Sequence, residues 1–394
     1  MRAAGIIAEY NPFHNGHERH IRETRRITGC DVLIVAMNGS VSQRGEVMLL
    51  DKWTRAEMAL RGGADLVVEL PVLWGARPAE NFAFGGVALL HALGCRWLSF
   101  GCETDDLPLL LRLAEVMENE PEEYAAALRR ALSEGKSFVR ARAEALSLYT
   151  GAAEELLQAP NAALGLEYIR AIRRLGSWMQ PVLVRRGASH HAQELASETS
   201  ASAIRAAVYA GRLREAAVAM PAQAFALLEQ NAGSVPSPEL VDVAALGTLR
   251  ALTPEQIARL PDVGEGLENA LAKACRTAGT RAQLLENVKS KRYTHARLSR
   301  IAAHAMLKTD RGLLTKFPAP PYARVLGVRR AVVGELSELQ NNSALPLVMR
   351  GKALEGDECF ALERTATDLR ALLSRRPGCR SADADLTHRL LVVD

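Results

Sequence analysis

Residues 3–17 read Ala3-Ala4-Gly5-Ile6-Ile7-Ala8-Glu9-Tyr10-Asn11-Pro12-Phe13-His14-Asn15-Gly16-His17. The first six form an apolar run that ends at a polar turn carrying Pro12, the pattern of a short buried strand. A helical pattern follows over Glu18–Thr28. The H-x-G-H tetrapeptide His14-Asn15-Gly16-His17 therefore falls at a strand-to-helix turn. Gly16 lets the backbone approach a ligand closely, and the helix start near His17 offers free N–H groups and partial positive charge to a phosphate. Two imidazoles placed there can donate hydrogen bonds to phosphate oxygens as these gain charge in a transition state. His20, three residues on, shares a helical face with His17.

Working outward, the same alternation continues. Strand-like runs occur at Val32–Met37, Leu66–Leu70, Arg96–Phe100 and Val182–Val184, with helical stretches at Lys52–Arg61, Ala79–Leu93 and Leu107–Asn119 between them. This order predicts an α/β fold with a parallel sheet built from right-handed crossovers, and ligands outside the carboxyl ends of its strands. From about Pro121 the pattern turns helical, clearest at Pro160–Leu175 and Ser202–Gly211. Pro221 and the Gly233–Pro238 stretch predict a linker, so residues 1–225 are expected as a catalytic domain and 226–394 as a mainly helical one. Strand-like Ala323–Val328 and Ala344–Val348 predict a small mixed α/β tail attached to the helical domain.

The bulk numbers agree with a soluble globular protein of two domains. The chain has 394 residues, 48% hydrophobic and 24% charged, enough for real cores. No run approaches the length of a membrane span, and Met1 leads into the first strand without a signal-peptide layout, so the expected location is the cytosol and no membrane partner is expected. Six scattered cysteines form no C-x-x-C pair and read as reduced structural thiols. The net charge is only +4, but Lys273–Arg311 holds ten basic and two acidic residues. That segment predicts a phosphate-binding face. No G-x-S-x-G elbow, Walker A loop or H-E-x-x-H is present, and the acidic pairs Asp105-Asp106 and Glu122-Glu123 read as helix N-terminal charges.

The H-x-G-H geometry is shared by nucleotidyltransferases and class I aminoacyl-tRNA synthetases. The wider text from Gly5 to His17 resembles the opening of the tRNA(Met) cytidine acetate ligase family, whose fold is a Rossmann-like nucleotidyltransferase domain. Further stretches resemble it too: Gln43-Arg44-Gly45-Glu46 with Lys52-Trp53-Thr54-Arg55, Gly63 to Pro71, Leu98 to Glu103, Pro160-Asn161 with Leu164 to Tyr168, and Lys291 to Leu298. The sequence departs from the family at Val47, at Ala162 and at Ser189-His190-His191, which touches the acceptor pocket more than the ATP loop.

The resemblance implies an ATP-dependent ligase. Acetate attacks the α-phosphate to give acetyl-adenylate and pyrophosphate, and the wobble cytidine of elongator methionine tRNA then takes the acetyl group. His14, His17 and Lys52 are the catalytic candidates. ATP would be held by the stretch from Ile7 to His17, His20, Gly101, Asn161, Arg185, Arg186, Ser202 and Arg205, with Mg²⁺ on the phosphates. Of the two arginines, Arg185 fits the family's register better. Asn161 suits a base or ribose contact and a helix N-cap equally. Arg205 on a helix's first turn opposes the helix dipole, a conflict that a phosphate would resolve. Lys289, Lys291, Arg292, Arg297 and Arg300 are the expected tRNA contacts. The alternative from the residues is a nucleotidyltransferase that condenses a phosphorylated metabolite with a nucleoside triphosphate.

Overall fold

A computed structural model describes residues 1–186, 199–264, 266–290 and 293–394. Strands β1 (Ala3–Ala8), β2 (Val32–Asn38), β3 (Leu66–Leu70), β4 (Trp97–Cys102) and β5 (Gln180–Arg185) lie in the order β5-β4-β1-β2-β3, all parallel. Their runs are apolar without alternation because helices cover both faces. All seven residues of β2 are buried. One face packs the Ala79–Ala92, Leu107–Asn119 and Pro160–Arg174 helices, and the other packs α1 (Asn15–Thr28), α2 (Lys52–Arg61) and the Ala201–Tyr209 helix. No helix among the described residues is long and apolar enough to cross a membrane.

The sheet does not stop at β3. Strand β6 (Ala323–Arg329) pairs antiparallel with β3, and the short strands β7 (Leu347–Val348) and β8 (Leu391–Val393) pair with β6. The tail expected on the helical domain thus completes the catalytic sheet. The helical segment has a core of its own, in which Leu246, Leu249, Leu271, Leu285, Leu298 and Ile301 are buried together. The stretch expected as a linker is docked too: Val235 is fully buried and its carbonyl accepts the Arg375 N–H, while Gly233 accepts from Arg376 and Ser237 donates to Leu373, all beyond the Glu358–Leu372 helix.

A buried ionic cluster joins the tail to the sheet. The Lys52 ammonium lies 2.5 Å from Glu69 and 2.7 Å from Asp385, with Glu363 at 3.6 Å. Arg324, on β6, bonds to both Glu69 and Asp385. Burial, with Glu69 and Asp385 beside it, pushes the Glu363 carboxyl well up. Glu69 and Asp385 are each shared between the two cations Lys52 and Arg324. Burial alone would lower the Lys52 ammonium, but Asp385 and Glu69 outweigh it and hold it raised.

Candidate active site

The β1 loop folds as a reciprocal cap on α1. His14 is the N-cap: its Nδ1 accepts the Gly16 N–H at 3.1 Å, and its own N–H donates to His17 Nδ1 at 3.2 Å. The two rings stack with centroids 3.7 Å apart. A Cβ on Gly16 would lie 2.9 Å from the His14 ring, so this glycine makes room for the imidazole itself. Capping and ligand presentation are therefore compatible. With both Nδ1 atoms accepting backbone N–H groups, each neutral ring carries its proton on Nε2 and is a fixed donor there.

Neutrality follows from burial. His14 is only 3% exposed, and burial together with nearby Arg186 brings its pKa down to about 3. Burial and the adjoining His14 hold His17 well below the ordinary value. Desolvation and nearby Arg186 bring partly buried His20 down to about 4. His20 Nε2 meets Ser99 Oγ at 3.0 Å, Ser99 Oγ meets Thr24 Oγ1 at 2.7 Å, and Thr24 donates to the His20 carbonyl. Counting hydroxyl protons along this chain makes His20 Nε2 a donor to Ser99.

These shifts have a consequence for stability. His304, buried against the Ala76 carbonyl, is likewise lowered to about 4. An imidazole whose folded pKa is depressed contributes stability above its unfolded value of 6.5 and loses it as pH falls toward the folded value. One such ring is worth on the order of 3 kcal/mol at full shift. Stability measured by urea denaturation should therefore fall steadily between pH 6.5 and 4, and His304→Gln should flatten part of that slope; an unchanged slope would mean that His304 titrates normally.

Around the loop, two groups of side chains assemble at the carboxyl edge of the sheet. On the β4 side, Arg186 Nη1 donates to Asn161 Oδ1 at 3.2 Å, and Asn161 Nδ2 donates to Glu103 Oε1 at 2.6 Å. Glu103 also accepts the Asn161 and Ala162 N–H groups, so this carboxylate, and not the Asn161 side chain, caps the Pro160–Arg174 helix. A Cβ on Gly101 would approach the Arg186 stem at 3.2 Å. Arg185, whose carbonyl accepts from Arg19, is 70% exposed and lies 3.7 Å from Asp105. The strand runs to residue 185, so Arg186 and not Arg185 turns toward the histidines.

On the β2 side, Glu9 Oε1 accepts the Gln43 N–H at 2.6 Å. Arg205 donates to the Asn11 carbonyl at 2.9 Å and pairs with Glu46 at 3.0 Å. Glu46 thus offsets the cation that a phosphate was expected to meet. Ser202 is exposed on the same helix, whose N-cap is Ser200. Gly45, at φ +75°, packs against the Arg300 backbone, where a Cβ would come within 2.6 Å. The buried Arg55 holds the strand ends together by donating to the carbonyls of Glu9, Asn38, Gly39 and Leu50.

Three expected residues are placed elsewhere. Lys52 is fully buried in the ionic cluster, with its ammonium committed to carboxylates. Arg300 is buried and paired with Asp262 at 2.5 Å, and Arg297 donates to the Asp262 carbonyl while lying over the Tyr293 ring. Arg300 faces inward because the His295–Leu307 helix is buried from Leu298 to its end, and Arg297, half-buried, stands just before that stretch. Lys289 remains exposed beside Glu286. Lys291, Arg292 and the Ser189-His190-His191 stretch lie outside the described residues. Glu103, Ser99 and Arg55 carry no role in the sequence reading; Glu103 and Ser99 stand in the quoted Leu98 to Glu103 stretch, which was the available signal.

A family model described as HIGH nucleotidyl transferase matches residues 1–384. A protein of Halothermothrix orenii named tRNA(Met) cytidine acetate ligase is 38% identical over 367 residues, covering 88% of this chain and 87% of its own. The chain belongs to the tRNA(Met) cytidine acetate ligase family. Another ligase of that name, from Acetivibrio thermocellus, is 34% identical over 416 residues and covers all of both chains. Among solved structures, Thermotoga maritima TmcAL bound with alpha-thio ATP superposes with a TM-score of 0.90 at 30% identity over the full length of both chains. The ligase family thus shares the sheet, the helical unit and the returning tail.

Proposed function

We propose that this protein activates acetate with ATP as acetyl-adenylate and transfers the acetyl group to the wobble cytidine of elongator methionine tRNA, forming N4-acetylcytidine. The observation that carries the reading is the pair of neutral imidazoles fixed as Nε2–H donors at the start of α1, on the carboxyl edge of a parallel sheet. A relative of the same fold is bound with an ATP analogue, which supports ATP as the nucleotide. In the first step an acetate oxygen attacks the α-phosphorus, the bond to the β-phosphate bridging oxygen breaks, and pyrophosphate leaves. The Nε2–H groups of His14 and His17 and the N-terminus of α1 stabilise the charge that builds on the α-phosphate oxygens. Arg186 adds a cation on the same side, and Gly101 and Asn161 border the nucleoside. In the second step the cytidine amine attacks the acetyl carbon and AMP leaves.

Among the described residues no group of three or more His, Cys, Asp or Glu side chains stands together to hold a metal. The donor set at the loop argues the same way, since His14 and His17 turn N–H groups and not lone pairs toward it. A protein-held Mg²⁺ does not fit these residues, and no step is routed through one. Exposed Lys289 and Arg44 are among the basic side chains offered to tRNA phosphates. The test is incorporation of labelled acetate into methionine tRNA, followed by nucleoside analysis. N4-acetylcytidine should form only with ATP, with AMP and pyrophosphate as products. Pyrophosphate released only in the presence of a phosphorylated metabolite would replace this reading with the alternative one.

A further inference from the structure

The amine that attacks acetyl-adenylate must lose a proton, and the histidines of the loop are poorly placed to take it. His14 and His17 spend their Nδ1 lone pairs on backbone N–H groups, and His20 donates from Nε2 to Ser99. Two nearby carboxylates are also occupied: Glu46 pairs with Arg205, and Glu103 caps a helix. Glu9 differs. It follows β1 at the carboxyl edge, is partly exposed, and one of its oxygens receives the Gln43 N–H at 2.6 Å. We propose that Glu9 is the proton acceptor for the tRNA amine in the acetyl-transfer step, which rests on the function proposed above.

The step balances without a further reactant. The cytidine N4 lone pair forms a bond to the acetyl carbonyl carbon, the bond from that carbon to the phosphate oxygen breaks, and AMP leaves with the electron pair. The N4 proton passes to the Glu9 carboxylate and from there to water. Groups facing Glu9 are Gln43, Arg44 and Glu46 from the turn after β2, Arg55 from α2, Arg205 from the Ala201–Tyr209 helix and Tyr168 from the Pro160–Arg174 helix. Burial raises the Glu9 carboxyl above the usual range, with Arg205 and Arg44 opposing it, which brings it nearer the pH at which a base is effective.

Glu9→Gln tests this while preserving the acceptor oxygen for the Gln43 N–H. Two rates are read on the full-length protein: acetate-dependent ATP–pyrophosphate exchange without tRNA, and single-turnover transfer from preformed acetyl-adenylate to methionine tRNA across pH. The ratio of transfer to exchange should fall by roughly a hundredfold or more, and transfer should lose its acid limb. Glu9→Asp should restore that limb at a reduced rate. An equal fall in both rates, or a transfer limb that survives in Glu9→Gln, overturns the assignment of Glu9 alone. A wild-type protein without acetate-dependent exchange overturns the proposed function and this proton path with it.

Discussion

His17→Ala lowers acetate-dependent ATP–pyrophosphate exchange by about a hundred- to a thousandfold, the loss expected when one preorganised donor to a developing oxyanion is removed. The side chain has two jobs that the measurement can separate. Nδ1 closes the capping box with the His14 N–H, and Nε2–H points away from it. Loss of the cap costs about 1 kcal/mol of stability, which a urea titration reads directly. Loss of the Nε2 donor appears in the exchange rate. His17→Asn should recover the cap through its side-chain oxygen and leave the rate low. An exchange rate close to wild type in His17→Ala would remove this imidazole from the chemistry.

Lys52→Met destabilises the fold by about 3–5 kcal/mol, because it strands Glu69 and Asp385 in a buried site with Arg324 as their remaining cation. Total stabilities are on the order of 5–15 kcal/mol, so the variant should lose much of its urea resistance. Adding Glu69→Gln should return part of the loss, since a neutral amide no longer needs the ammonium. A lysine that held ATP would behave differently: Lys52→Met would keep wild-type stability and lose only turnover. That outcome would contradict the burial of this side chain and restore its expected role.

The contrast between these two residues shows what a sequence discloses. The β1 strand, the loop and α1 are contiguous, so periodicity and a tetrapeptide suffice to place His14 and His17 at a strand end. Lys52 has local text of the same quality, a basic residue starting a helix after a strand. Its partners Glu363 and Asp385 lie some three hundred residues downstream, and nothing local announces them. The same distance hides β6, whose apolar run is legible while its antiparallel pairing with β3 is not. The family register favours Arg185 over its neighbour, but the strand includes Arg185, and with side chains alternating along a strand it is Arg186 that stands beside the histidines. The basic helix misled in another way. Net charge counted along Lys273–Arg311 takes no account of which arginines face Asp262, a residue outside that segment.

Glu103 and Glu46 carry a further lesson. Each binds groups far away in the chain, a helix start in one case and Arg205 in the other. Both therefore organise the site without belonging to its motif.

A crystal of this protein with a non-hydrolysable ATP analogue would show whether the loop histidines receive the nucleotide. The α-phosphate oxygens should lie within hydrogen-bond distance of Nε2 on His14 and His17, at the N-terminus of α1, with the nucleoside toward Gly101 and Arg186. A nucleotide bound away from the β1 loop, or seated there with its phosphates turned from both rings, would contradict it.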